Sequence, residues 1–322
     1  MNIPNQLSRK LKLLLLLISG VLFSHGLATA QVLWSDEFNS GSAPDSAVWT
    51  AETGGGGWGN SELQTYTSDS ANLRVEGGNL IITAIATEGG RGRPGSKTFT
   101  SARIKTEDKL TFTYGTIEAR IKIPDLADGL WPAFWTLGND YSSVGWPDCG
   151  ELDILEMGFA DAITAGVVNR RVGSTAHWDY QGSYAGYGLT YDATSDLNGA
   201  FHTYRMEWTP TSVSTYIDNS LIWEFDISNP AGFGGEEFHQ PHFFLLNLAV
   251  GGSLTGITAS SGITAPFPAE YVVDYIRISD NGFTVLGGSS IGGPNLAPSF
   301  SSDPVVEANA TESSTYSASI AD

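Results

Sequence analysis

The sequence predicts an all-β chain folded as a sandwich or barrel, and three observations carry that expectation. Between residues 31 and 288 lie eleven short apolar or alternating runs, at 80–86, 101–106, 115–123, 133–137, 151–157, 174–177, 203–208, 213–217, 221–225, 243–249 and 271–279. Turn chemistry separates them: Glu76-Gly77-Gly78-Asn79, Asp218-Asn219 and Gly251-Gly252 place residues that tolerate positive φ between side chains that favour extended backbone. No stretch repeats its apolar residues at helical spacing over a useful length. The 38 Gly, 9 Trp, 12 Tyr and 15 Phe suit many strands and turns better than helices. No internal repeat is visible.

In chain order, residues 1–30 read as a signal peptide. Arg9, Lys10 and Lys12 form a basic start, 13–23 is an apolar core too short for a comfortable membrane span, and Ala28-Thr29-Ala30 fits a cleavage site. The mature chain is therefore expected outside the cytoplasm, extracellular or periplasmic, with no membrane attachment after cleavage. The full chain has formal charge −19; losing three basic residues makes it −22. That balance excludes nucleic acid and anionic lipid as partners and favours a neutral substrate. One cysteine, Cys149, rules out an intrachain disulfide and reads as a small buried spacer. Residues 31–286 form the expected main domain, and 287–294 a flexible Gly/Ser linker. Residues 295–322 are too few to bury a core. They read as the start of an immunoglobulin-like module or as a disordered tail.

The run at 151–157 carries the chemistry. Glu151, Asp153 and Glu156 stand among Leu152, Ile154 and Leu155. Charged carboxylates beside buried aliphatics are costly unless they are paired or used. In a regular strand Glu156 would face the opposite side from Glu151 and Asp153. A β-bulge near Ile154-Leu155 reverses the parity, sets all three acids on one face and turns the aliphatics to the core. Glu151 and Glu156 are then about four strand steps, or ~13 Å, apart at Cα, and leaning side chains close most of that gap. Retaining glycosidases need two carboxyl groups roughly 5–5.5 Å apart. Asp153, between them, would share a proton with Glu151 and help keep Glu156 protonated. The plain alternative is a solvated acidic strand face.

Aromatic and polar residues gather elsewhere. Gly54 to Gly57 make a loop that carries Trp58, Asn60 and Glu62, fit to stack on a sugar ring and bond its hydroxyls, or else to tuck Trp58 into the core. Trp131, Trp135 and Trp146 are candidate platforms for the apolar faces of sugars, or core filling. His177 is a candidate for bonding a substrate hydroxyl or leaving oxygen, although a lone histidine is more often structural. Arg103 reads by default as a salt-bridge partner. His202, His239 and His242 have no metal-like spacing.

Through these residues the chain resembles glycoside hydrolase family 16, and within it the bacterial laminarinase-like endo-β-1,3-glucanases. The resemblance runs from Trp34 to Ser279 and rests on ordered motifs. They are Trp34-Ser35-Asp36-Glu37-Phe38, Trp58-Gly59-Asn60-Ser61-Glu62-Leu63-Gln64, Ser101-Ala102-Arg103-Ile104, 115–120, 129–135, 150–156, 247–252 and Val273-Asp274-Tyr275-Ile276-Arg277. The family implies a β-jelly-roll sandwich of two antiparallel sheets with a concave substrate cleft, and a retaining double displacement. By position it implies Glu151 as nucleophile, Glu156 as general acid/base and Asp153 as the assisting carboxylate. Asn60, Arg103, Trp131, Trp135 and His177 match sugar-binding positions. No cofactor is implied for catalysis. A structural Ca²⁺ is implied at Glu37, Gly78 and Asp274, mostly through backbone oxygens. The long Glu-x-Asp-x-x-Glu form is less usual among relatives specific for mixed-linkage glucan. At Leu254 many relatives carry a Trp on the cleft wall.

The expectation is thus a secreted, monomeric, endo-acting retaining hydrolase of laminarin-type β-1,3-glucan. The alternatives are a β-galactan (agar or carrageenan) hydrolase, a mixed-linkage β-glucanase, or a non-catalytic glucan-binding jelly roll. The last usually lacks one or both glutamates that this chain keeps.

Overall fold

The computed structural model describes residues 31–88 and 97–291. The expected signal peptide at 1–30 and the expected module or tail at 295–322 lie outside the described residues. No helix among the described residues is long and apolar enough to cross a membrane.

Among the described residues, nineteen strands carry the fold. The first nine are β1 (Val32–Asp36), β2 (Thr50–Glu52), β3 (Gln64–Tyr66), β4 (Leu73–Glu76), β5 (Asn79–Glu88), β6 (Lys97–Ser101), β7 (Arg103–Lys105), β8 (Thr111–Thr113) and β9 (Gly115–Lys122). There follow β10 (Leu130–Gly138), β11 (Glu151–Glu156), β12 (Arg171–Asp179), β13 (Tyr184–Asp192) and β14 (His202–Trp208). The last are β15 (Ser212–Ile217), β16 (Ser220–Asp226), β17 (His242–Val250), β18 (Ala269–Ser279) and β19 (Val285–Gly287). The α-helices among the described residues are short: α1 (Tyr141–Val144), α2 (Ala160–Ala165) and α3 (Pro230–Phe233).

Two sheets form. A ten-stranded sheet runs β16-β15-β14-β9-β18-β5-β6-β3, with β1 on β18 and β4 on β5. A nine-stranded sheet runs β13-β12-β11-β10-β17-β7-β2, with β8 on β17 and β19 on β8. Pairing is antiparallel except between β3 and β6. The pattern of each strand follows from its place. In β9, Ile117, Ala119 and Ile121 are fully buried while the residues between them are half-exposed, the alternation of a strand with one covered face. In β17 every residue from His242 to Val250 is buried, because the core covers one face and the cleft walls cover the other. Phe112, Phe134, Phe244 and Trp208 pack between the sheets.

All eleven runs expected from the sequence are strands, and the two-sheet sandwich is the one anticipated. The strands that escaped notice are short ones such as β2, β3 and β8, and the long edge strand β13. The linker expected at 287–294 overlaps the folded strands at its start. Gly287 pairs with Thr111, and the N–H groups of Ser289 and Ser290 donate to the carbonyls of Asp108 and Lys109 at 2.9 and 2.8 Å. Residues 287–290 are therefore held against β8 and the turn that precedes it.

Candidate active site

The site is built on β11. Gly150 starts the strand at φ +75, and a Cβ there would come 2.6 Å from Cβ of Glu237, so the approach requires glycine. The expected bulge is present. Trp135 opposes Asp153 and Phe134 opposes Leu155, which leaves Ile154 without a partner on β10. Against β12, Asp153 pairs with Thr175 and Glu156 with Gly173, three steps of one strand against two of the other. The carbonyl of Ile154 accepts a hydrogen bond from the buried Ser174 hydroxyl at 2.9 Å. Leu152, Ile154 and Leu155 join the core. Glu151, Asp153 and Glu156 line a cleft of about 320 Å³.

Each acid has a ring nitrogen of its own beside it. The indole N–H of Trp146 donates to Oε2 of Glu151 at 2.9 Å, and that of Trp131 to Oε1 of Glu156 at 3.0 Å. Nε2 of His177 lies 3.0 Å from Oδ2 of Asp153 and 3.8 Å from Oε1 of Glu151. These contacts do not offset burial. Desolvation pushes Asp153 up to about 8, with a hydrogen bond from Glu151 pulling the other way. Desolvation, and then the charge of Asp153, push Glu156 up to about 8. Burial first and Asp153 second hold Glu151 well above the usual carboxylate range. The trio cannot carry three charges near neutrality, so it stores protons beside an ionisable acid, which is what general acid catalysis requires.

The far wall is aromatic and cationic. The Arg103 guanidinium lies between the rings of Trp58 and Trp135, 5.0 and 4.8 Å from their centroids, and its Nε is 2.5 Å from Glu52. It is therefore both the salt-bridge partner and a cleft-lining residue. Trp135 donates to Asn247 at 2.8 Å. Glu62, expected to bond sugar hydroxyls, lines the cleft and is 8% exposed. It accepts from Gln64 at 2.5 Å, Tyr66 at 3.0 Å and Asn60 at 3.4 Å, which fixes the loop that carries Trp58 and Asn60.

Of the expected site residues, Asn60, Arg103, Trp131, Trp135 and Trp146 all line the cleft with the three acids, and His177 bonds to Asp153. Trp131, 8% exposed, serves Glu156 through its N–H rather than offering an open face. Leu254 is half-buried in a turn whose carbonyl accepts from Ala160. Cys149 is the buried spacer expected, its thiol pushed up to about 12 by burial. Sequence reasoning missed Glu52, Tyr141 and Tyr184. For Glu52, the signal would have been the pairing of β2 with Arg103 on β7.

At the expected metal position, both oxygens of Glu37 accept from Arg277 at 2.8 Å, and Asp274 pairs with Arg120. Those carboxylates are committed to cations, which leaves backbone carbonyls as donors. The segments do converge: Asp36 opposes Ile276, and a Cβ on Gly78 would lie 3.2 Å from Oδ1 of Asn39. Among the described residues, the side chains grouped as metal ligands would be are Glu151, Asp153 and His177, with ligand atoms within 4.8 Å of one another.

Comparison with known proteins agrees with this geometry. The model of the family described as glycosyl hydrolases family 16 matches residues 57–259, a span that includes β11 and both cleft walls. A β-glucanase of Rhodothermus marinus is 38% identical over 77% of this chain and 84% of its own length. The laminarinase catalytic domain of Thermotoga maritima superposes with a TM-score of 0.66 at 38% identity, covering 78% of this chain and 98% of that one. A family 16 mixed-linkage glucan enzyme of Bacteroides ovatus, solved with an oligosaccharide product, gives 0.66 at 33% identity, covering 77% and 100%. These likenesses make the two-sheet sandwich a jelly roll. With family model, fold and acid-bearing strand in agreement, this chain belongs to glycosyl hydrolases family 16 and is a glycoside hydrolase.

Proposed function

We propose that the chain is a secreted, endo-acting, retaining hydrolase that cleaves internal β-1,3 bonds of laminarin-type glucan. The observation that carries the chemistry is the bulge at Ile154, which turns Glu151, Asp153 and Glu156 onto one cleft floor. In the first step the Glu151 carboxylate attacks the anomeric carbon. The glycosidic C–O bond breaks, and Glu156 gives its proton to the departing oxygen. In the second step Glu156, now a carboxylate, takes a proton from water; the water oxygen attacks the anomeric carbon, and Glu151 leaves with its electron pair. Asp153, tied to His177, adjusts the charge between the two. Trp58, Asn60, Arg103 and Trp135 would hold sugars along the wall.

The β-1,3 assignment draws on the likeness to the laminarinase and on the long acidic motif. The likeness to the Bacteroides mixed-linkage enzyme supports a second reading, cleavage of β-1,3-1,4-glucan. Incubating the mature chain with laminarin, lichenan, curdlan, agarose and κ-carrageenan, and separating the products, decides between them. Laminari-oligosaccharides of mixed length from laminarin are expected. Cleavage confined to lichenan would establish the second reading, and cleavage confined to agarose or carrageenan would replace the substrate class. Binding to glucan without cleavage would make the chain a binding module.

Export through residues 1–30 is part of the proposal, and N-terminal sequencing of protein from the culture medium or periplasm should begin at Gln31. A structural Ca²⁺ is proposed at the backbone oxygens of Glu37, Gly78 and Asp274, where it would join segments far apart in sequence and supply no step of the cleavage. Chelation should then lower Tm, and added Ca²⁺ should restore it; a Tm indifferent to both would remove the ion from the proposal.

A further inference from the structure

Tyr184 stands on β13, the edge strand of the nine-stranded sheet, and is 57% exposed. Three contacts hold it all the same. Its ring stacks on Trp146 with centroids 5.3 Å and planes 27° apart. It stacks on His177 at 5.7 Å and 26°. Its hydroxyl lies 2.8 Å from Nδ1 of His177. Trp146 is the donor to Glu151, and His177 is the partner of Asp153. One exposed phenol therefore backs the groups that face two of the three acids.

The backbone makes room for this. Gly186 opposes His177 across the β12–β13 ladder. A Cβ at Gly186 would lie 2.6 Å from Oη of Tyr184 and 3.3 Å from Nδ1 of His177. Any other residue at that position would stand where the phenol crosses to the imidazole.

We infer that Tyr184 is a positioning residue of the hydrolytic site: its O–H donates to Nδ1 of His177, which sets the imidazole proton on Nε2 facing Asp153, while its ring braces Trp146 against Glu151. The inference rests on the reading of Glu151 and Glu156 as the reacting pair. The titratable groups around the Tyr184–His177 contact are Glu151, Asp153 and Glu156 of β11 and Asp179 of β12. Burial, then the charges of Glu151, Asp153 and Glu156, push the phenol above its ordinary range, so it remains a donor at neutral and mildly alkaline pH. Without that donor, the imidazole proton is free to settle on Nδ1. The Nε2 lone pair would then face Asp153 and accept from its carboxyl, fixing on Asp153 a proton that the trio otherwise shares. The distribution of protons among the three acids changes, and the pH dependence of turnover changes with it.

The test compares the mature chain with its Tyr184→Phe and Tyr184→Ala variants on laminarin. Phe keeps the stack and loses the hydrogen bond, so kcat should fall about tenfold with KM within about twofold of wild type, and the pH profile of kcat should shift. Ala also removes the brace on Trp146 and should raise KM. Imidazole ¹⁵N NMR should show His177 with its proton on Nε2 in the wild type and on both nitrogens in turn in Tyr184→Phe. With Tyr184 exposed, melting temperatures should stay close to wild type. A Phe variant with wild-type kcat, pH profile and imidazole tautomer overturns the inference. Activity loss that only tracks a lowered Tm, with the tautomer unchanged, overturns it as well. A wild type inactive on every glucan would instead sink the proposed function, and the NMR comparison would still decide the role of Tyr184.

Discussion

Two groups of carboxylates in this chain meet opposite environments. On the surface, Glu37 is gripped by Arg277 through two bonds of 2.8 Å, and Asp192 by Arg171 through two of 2.7 Å. Both acids are held below the ordinary carboxylate range, chiefly by those arginine hydrogen bonds. On β11, Glu151, Asp153 and Glu156 meet two indoles and an imidazole, and burial drives them the other way. Arg103, the guanidinium on the cleft wall, is paired with Glu52 instead. The residue type is the same in both regions; the supply of cations differs. A surface acid paired with arginine stays ionised and inert. Three buried acids without an arginine beside them share fewer charges than there are carboxyls, so one can hold a proton to give away while another is ionised.

Removing one acid from each group separates the two environments. Glu151→Gln should leave the fold intact and reduce turnover by at least about a thousandfold, since the covalent step has no other nucleophile. Initial rates on laminarin, with circular dichroism to confirm folding, check this. Substantial residual turnover would take the nucleophile's role from Glu151. Glu156→Ala should slow hydrolysis strongly, and azide should rescue breakdown of the glycosyl-enzyme formed from a substrate with an activated leaving group.

A second prediction concerns stability rather than rate. Glu156 and Asp153 titrate at about 8 in the folded chain, against ordinary values of 4.5 and 3.8. Between those limits the folded state binds more protons than the unfolded state, so unfolding free energy falls as pH rises through the window. The wild type should therefore melt lower at pH 8.5 than at pH 5. Glu156→Gln removes one such group and should melt above wild type at pH 8.5 by about 2–6 °C, with the gap closing near pH 4. A variant that melts below wild type at both values would show that these acids do not burden the fold.

The sequence made β11 legible because its conflict is local. Three acids among three aliphatics admit few strand geometries, and the bulge resolves the parity within six residues. The aromatic clusters were legible for a similar reason. Glu52 was not, since its partner Arg103 lies 51 positions away and is reached only through the β2–β7 pairing. The hydrogen bonds that bury Glu62 were not legible, because they depend on Gln64 and Tyr66 folding back beneath it. Tyr184 was hidden by its own strand. Gly186 and Gly188 interrupt the alternation of β13, and an edge strand buries too little to show a pattern. Likewise Gly287 has the composition of a linker, and its pairing with Thr111 is a tertiary fact.

The bulge itself is tested through Ser174. Its hydroxyl donates to the carbonyl of Ile154, the residue without a partner on β10. Ser174→Ala would remove this buried hydrogen bond, at about 1–3 kcal/mol of stability. If β11 then relaxes toward regular register, Glu156 turns away from the cleft and kcat should fall about tenfold as well. Loss of stability with unchanged kcat would mean that the aliphatics alone hold the bulge, and Ser174 only satisfies a carbonyl. Thr is not a control here, since its methyl enters a packed interior; Cys, with a weaker donor of similar size, is the better second variant.

The smallest effect belongs to the surface group, and it sharpens the contrast most. Glu37 is 35% and Arg277 37% exposed at the side chain, so solvent screens their pairing despite its two bonds. Glu37→Gln should cost no more than about 1 kcal/mol, or roughly 2–4 °C in Tm. The sign of its pH dependence is opposite to that of Glu156. A carboxyl held below its unfolded value stabilises above the unfolded pKa, and that contribution is lost as pH falls through the folded one. The gap between wild type and Glu37→Gln should therefore be present at pH 7 and shrink below about pH 4, whereas the gap for Glu156→Gln opens on the alkaline side. Activity on laminarin should be unchanged, because Glu37 touches neither the cleft nor its donors. If Glu37→Gln cost far more than a screened pair can supply, and the excess vanished on chelation, the loss would belong to a bound cation rather than to Arg277. Melting curves of the two variants across pH 3.5 to 9, with and without chelator, separate the cases.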